Sequence, residues 1–140
     1  MTMQVVALNE QVANGRKARL RHCGSEFAAI IDDTSECMPT PGVFLAEMTY
    51  HQAVSWKLLE HFDDHASGIW EHTNDLVRIR GRISALHEDG KGGRLPDLYL
   101  MNGPEFIFLH DLNAIDAGMA EGQGLEVVVQ GLRVYLQGAS

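Results

Sequence analysis

Apolar residues in this chain fall mostly into short runs with a spacing of two. Between residues 76 and 86, Val77, Ile79, Ile83 and Ala85 alternate with Arg78, Arg80, Arg82 and Ser84. That pattern predicts a long strand with one face in a core and the other in water. Gly81 at its centre permits a bulge or a sharp bend. Residues 16–22 read the same way, with Ala18, Leu20 and His22 on one side and Lys17, Arg19 and Arg21 on the other. A helix ended by Gly24 is the alternative there. Gly24-Ser25 turns the chain into a further strand candidate at residues 26–31, and residues 4–8 and 43–48 add two more. Residues 9–14 read as a loop or helical turn. Residues 32–42 read as a loop, with two prolines among side chains that bond their own backbone.

Around residues 96–111 the pattern changes. Asn102-Gly103 separates two apolar runs, residues 97–101 and 105–110. Both turn residues tolerate positive φ, as a type I′ hairpin turn requires. Leu98 to Met101 and Phe106 to Leu109 are apolar without alternation, which predicts a hairpin covered on both faces.

Two stretches carry helical signals. Thr49 and Gln52 have the capping-box spacing, and Val54, Leu58 and Phe62 recur every four residues. They predict a helix over about 50–64, ended by Ser67-Gly68, with residues 69–75 and Trp70 as a connection. A short helix over about 112–121 follows, capped by Asp111, with Leu112, Ile115 and Met119 on one stripe. Residues 125–137 form the last strand. Its apolar parity switches at Gly131, which reads as a glycine bulge. The fold class is therefore α+β and mostly β: one domain over residues 1–140, a bent antiparallel barrel with one main helix and one short one.

Composition narrows the picture. A chain of 140 residues can bury a real core. Its formal charge of −8 favours solubility and weighs against generic nucleic-acid binding. Cys23 and Cys37 are too few for a disulfide framework. With no signal-peptide pattern at the start, they read as reduced, buried thiols in a cytoplasmic protein. No run approaches the roughly 20 apolar residues of a membrane helix.

VRIRGRISAL (77–86), LYLMNGPEFIFL (98–109) and GQGLEVVVQGLRVYL (122–136) give the order strand, glycine-rich loop, hairpin, short helix, strand. That order resembles part of an OB-fold, the small Greek-key barrel that binds oligonucleotides, oligosaccharides or proteins. The resemblance spans roughly residues 76–137 and lacks the fifth strand. It implies that the N-terminal half completes the barrel, through residues 17–23 or 26–31. A fainter likeness, to the cyclic-dinucleotide-binding PilZ pattern, lies in basic residues 17–21 and Asp33-Thr34-Ser35. Met38 stands where that pattern has a glycine.

The candidate ligand site is a cationic stripe, continuous if two basic strands are neighbours. Lys17, Arg19 and Arg21 lie on one strand, and Arg78, Arg80 and Arg82 on another. Lys91 and Arg94 extend it from the loop at residues 87–95, and Tyr99 offers a stacking ring, with Phe106 or Phe108 beside it. The competing reading pairs these arginines with Glu71, Asp75 and Glu88 on a solvated face. His61 and His65, four apart and near Glu60, Asp63, Asp64 and His72, invite a metal. The run HFDDH lacks the glutamate of HExxH, and no metal ligand is assigned. GKGG (90–93) and Gly122-Gln123-Gly124 read as turns, Trp56 and Trp70 as packing residues. No catalytic residue or cofactor is assigned, because no nucleophile or carboxylate-pair arrangement is legible. The expected function is a non-enzymatic module that binds single-stranded nucleic acid or another phosphate-bearing ligand, with no membrane partner. The alternatives are a protein-interaction or homo-oligomerisation module, or a small metal-dependent hydrolase using His61 and His65.

Overall fold

A computed structural model of the chain describes residues 2–37, 39–73, 75–101 and 105–139. Its strands are β1 (Thr2–Val12), β2 (Gly15–His22), β3 (Ser25–Asp32), β4 (Gly42–Thr49), β5 (Gln52–Leu59), β6 (Gly68–Thr73), β7 (Leu76–Glu88), β8 (Arg94–Leu100), β9 (Glu105–Phe108), β10 (Gly124–Gln130) and β11 (Arg133–Ala139). The helical elements among the described residues are α1 (Ala114–Ala117) and one 3₁₀ turn (Asp64–Ala66). The chain is mostly β.

The strands build two β-structures around one continuous core. The first is a closed, OB-like five-stranded barrel in the order β1-β2-β3-β11-β4, with β4 returning to β1. Met3, Leu20, Phe27, Ile31, Val134 and Leu136 are buried on its strands. The second is a sheet in the order β5-β10-β7-β8-β9, with β6 also paired to β7. Ile69, Ile79, Ile83, Leu98, Ile107 and Val127 are buried on it. Each such side chain contributes about 1.5–3 kcal/mol on burial.

The two structures exchange strands. β4 and β5 are consecutive, yet β4 closes the barrel while β5 pairs with β10. β10 and β11 are consecutive, yet β11 leaves the sheet to pair with β4 and, in parallel, with β3. The two links touch where they cross: the His51 backbone N–H donates to the Gln130 carbonyl at 3.0 Å. Gly131 has φ +70°, and a Cβ on it would lie 2.9 Å from the Cβ of His51. Asp111 pins one link. It accepts the phenolic O–H of Tyr50 on one carboxylate oxygen and the Ala53 backbone N–H, at 2.8 Å, on the other. Burial, then that hydrogen bond, push the Tyr50 phenol well above its ordinary value. The His110 ring stacks on Tyr50 with centroids 4.5 Å apart and donates to its carbonyl at 3.0 Å.

Several expectations hold. The strands near 16–22, 26–31, 43–48 and 76–86 are β2, β3, β4 and β7, and the hairpin partners 97–101 and 105–110 are β8 and β9. The bulge expected at Gly81 lies instead between Ile83 and Ala85, and Gly81 is a point of close approach: a Cβ there would lie 2.4 Å from the Tyr99 carbonyl oxygen. The Asn102-Gly103 turn lies outside the described residues, as does Met38.

Others are corrected. The helix expected over 50–64 is strand β5, whose backbone groups pair along β10. The connection at 69–75 contains strand β6. Polar residues 9–11 and Val12 continue β1. The helix expected over 112–121 shrinks to α1, capped by Asn113, whose side chain accepts from the Ile115 N–H. The strand expected over 125–137 is two strands in different structures, and Gly131 marks the change of sheet. The barrel is also completed differently. β5 joins the C-terminal sheet, whereas residues 17–23 and 26–31 stay in the other structure.

Candidate functional site

β7 organises the site. Its alternation sends Val77, Ile79 and Ile83 into the core and leaves Arg78, Arg80 and Arg82 on the outer face of the second sheet. Strand register sets their neighbours: Trp70 lies opposite Arg78, Glu126 opposite Arg80, Lys57 opposite Glu126, and Tyr99 opposite Arg82. Phe106 lies opposite Tyr99, and Phe108 opposite Asp97.

At one end of this face, three cations converge on one carboxylate. Glu126 is 8% exposed. Its oxygens lie 2.7 Å from Arg80 Nε, 3.7 Å from Arg78 Nε and 3.4 Å from Lys57 Nζ. Burial alone would raise the Glu126 carboxyl, but Arg80 and then Lys57 outweigh it and hold the group below its usual value. Both guanidinium groups also sit over the Trp70 ring, at 5.5 and 5.6 Å from its centroid. In the middle, Arg82 lies 5.2 Å from the Tyr99 ring centroid and 3.0 Å from Asp64 Oδ1. At the far end, Tyr99 meets Phe106 at 5.7 Å and His87 meets Phe108 at 5.9 Å. His87 Nε2 also contacts Asp97 Oδ2. Phe106 is 48% and Phe108 42% exposed, so the hairpin is covered on one face, not on both.

The other basic strand lies elsewhere. β2 is flanked by β1 and β3, and β7 by β10, β6 and β8, so the two basic strands are not neighbours. On β2, Lys17 pairs with Glu10 at 3.4 Å, and Arg21 with Glu26 at 2.8 Å. Arg19 reaches Glu26 at 3.6 Å and Glu71, on β6, at 3.1 Å, which joins the two structures. Lys91 lies in a loop folded around Asp89, which accepts the Lys91 and Gly93 backbone N–H groups at 2.7 and 3.0 Å. Arg94 opens β8, with its N–H directed at Asn113 Oδ1.

The remaining candidates change character. His61 takes φ +53° after the end of β5, and His65 sits in the 3₁₀ turn, so no helix presents them on one face. Among the described residues no group of three or more His, Cys, Asp or Glu side chains could hold a metal ion. Cys23 is exposed and Cys37 half-buried, where buried thiols were expected. Trp56 is 41% exposed and is not a core residue. No described helix is long and apolar enough to cross a membrane. The sequence reading missed Trp70, Lys57 and Glu126 as parts of this face. Residues 68–73 show no apolar alternation that would have marked them as a strand.

No protein-family model matches the chain, and no curated protein matches its sequence. Among solved structures the chain is similar to the cytoplasmic molybdate-binding protein ModG, crystallised with molybdate bound. The TM-score is 0.52 and the identity 16%, over 99% of this chain and 94% of that one. The likeness is one of fold, and it runs through both β-structures.

Proposed function

We propose that this chain is a non-enzymatic binding module whose ligand, a single-stranded nucleic acid, lies along the outer face of the second sheet. One observation carries the reading. Among the described residues, Lys57, Arg78, Arg80 and Arg82 pair with two carboxylates, Glu126 and Asp64, and this positive patch runs into the rings of Tyr99, Phe106 and Phe108. Guanidinium groups take phosphates, and exposed rings take bases of any sequence.

Polarisation of labelled homo-oligonucleotides, titrated at several salt concentrations, tests the proposal. Affinity is expected to fall with salt at a slope near −0.7 per phosphate contacted. A response that ignores salt, or none at all, rejects it.

A second reading takes its ligand from ModG: a tetrahedral oxyanion such as molybdate would use the same Lys57, Arg78 and Arg80 cations without the aromatic rings. Calorimetry with molybdate separates the two, because an oxyanion site saturates with molybdate and is indifferent to Phe106→Ala. Should the rings instead join copies of the chain, light scattering would show an oligomer that Phe106→Ser dissolves.

A further inference from the structure

The two β-structures do not pack flush. Between them lies a cleft of about 360 Å³. Its floor is apolar: Ala28 and Ile30 on the outer side of β3, and Leu132 at the strand crossing. Ala28 and Ile30 are unusual on the outward side of a barrel strand, where polar residues normally stand. Ala28 and Ile30 are half-buried and present apolar surface to the cleft, and the buried Leu132 lines it beside them. The rim is polar. Asn9 and Gln130 each bring an amide that donates and accepts, and His51 brings an imidazole from the other link. Lys17 and Asp75 put opposite charges on the rim, and Lys17 is already paired with Glu10 at 3.4 Å. The cleft therefore has no net field for an anion. It suits an uncharged flat molecule that is apolar on its faces and hydrogen-bonding at its edges.

We infer that this seam is a second ligand site, and that it takes a small neutral nitrogen heteroaromatic of nucleobase size. The ring faces lie on Ala28, Ile30 and Leu132, and the edge nitrogens meet Gln130, Asn9 and His51. The site is separate from the arginine–aromatic face and does not rest on the function proposed for that face. Its walls come from both structures and from both crossing links, so an occupant ties the exchanged strands together.

Adenine and benzimidazole, titrated separately into ¹⁵N-labelled full-length protein, test the inference by amide chemical shift. The expected result is a saturable shift confined to Ala28, Ile30, His51, Gln130 and Leu132. Ala28→Leu, which fills the floor, is expected to abolish it while leaving oligonucleotide polarisation unchanged. Should Ala28→Leu fold poorly, Gln130→Ala at the exposed rim is expected to weaken adenine binding roughly two- to tenfold, the range of one lost neutral hydrogen bond. Three results would overturn the site: no saturable shift up to the solubility limit of both compounds, shifts centred on Tyr99 and Phe106, or shifts that survive Ala28→Leu.

Discussion

The indole of Trp70 folds back over Gly68, so closely that a Cβ at position 68 would lie 2.6 Å from the ring. The absent side chain is what lets the ring lie flat beneath Arg78 and Arg80. Gly68→Ala is expected to displace Trp70 and to cost about 1–3 kcal/mol through overpacking. In a Trp56→Phe background, where Trp70 is the sole tryptophan, its emission should shift to the red and become easier to quench with iodide. An unchanged spectrum would show that the ring has room elsewhere.

Phe106 and Phe108 are half-exposed, so their truncation should barely touch folding, within about 0.5 kcal/mol. Loss of a stacking ring costs about 1–3 kcal/mol per base. Phe106→Ala and Phe108→Ala should each weaken oligonucleotide binding by roughly tenfold or more, with the melting temperature unmoved. Equal losses in both quantities would make the rings structural.

Glu126 makes a prediction about acid. Its folded-state value lies below that of the unfolded chain, because Arg80 and Lys57 outweigh burial. Its contribution is therefore complete above the unfolded carboxylate value, near ~4.3, and is lost as pH falls through the folded one. Glu126→Gln should flatten the fall in melting temperature below about pH 5. A residual slope should remain from Asp32, held low by Thr34 and then Arg133, and from Glu26, held low by Arg21. The same substitution removes a competitor for three cations, so oligonucleotide binding at neutral pH should tighten and become more salt-sensitive.

Asp111→Ala strips the acceptor from the buried Tyr50 hydroxyl and from the Ala53 N–H. An orphaned buried polar group costs about 1–3 kcal/mol, and a loss of that order is expected in urea unfolding. Adding Tyr50→Phe should restore part of it, since the hydroxyl then needs no partner. A double variant no better than the single one would place the loss at Ala53 alone.

Local alternation made most strands legible. β2, β4 and β7 each bury every second side chain, and that signal is written in neighbouring residues. The stretch at 50–64 was misread because a spacing of four is also two strand periods. Val54, Leu58 and Phe62 therefore fit either element, and Thr49 with Gln52 only mimics a cap. β5 becomes a strand because β10 offers its backbone a partner, a fact held some 70 residues away in the chain. The arginine alternation marked β7 correctly, but nothing near it showed that Glu126 would gather Arg78 and Arg80. Arg19 likewise finds Glu71 only because the two structures meet. The parity switch at Gly131 was visible; that the chain there leaves one sheet for another depends on long-range pairing that no local pattern records.

The crossing of the two links has a consequence for synthesis. The N-terminal barrel closes only when β11 slots between β3 and β4, and β11 comes after every other described strand in the chain. Until β11 has cleared the ribosome exit, the first four strands stand as an open sheet with two unsatisfied margins. A chain ending at Gly131 should therefore remain sensitive to protease in β1–β4, although every strand of the second sheet is already present. With β11 present, those four strands should acquire protection in a late step, since their closure depends on distant pairings.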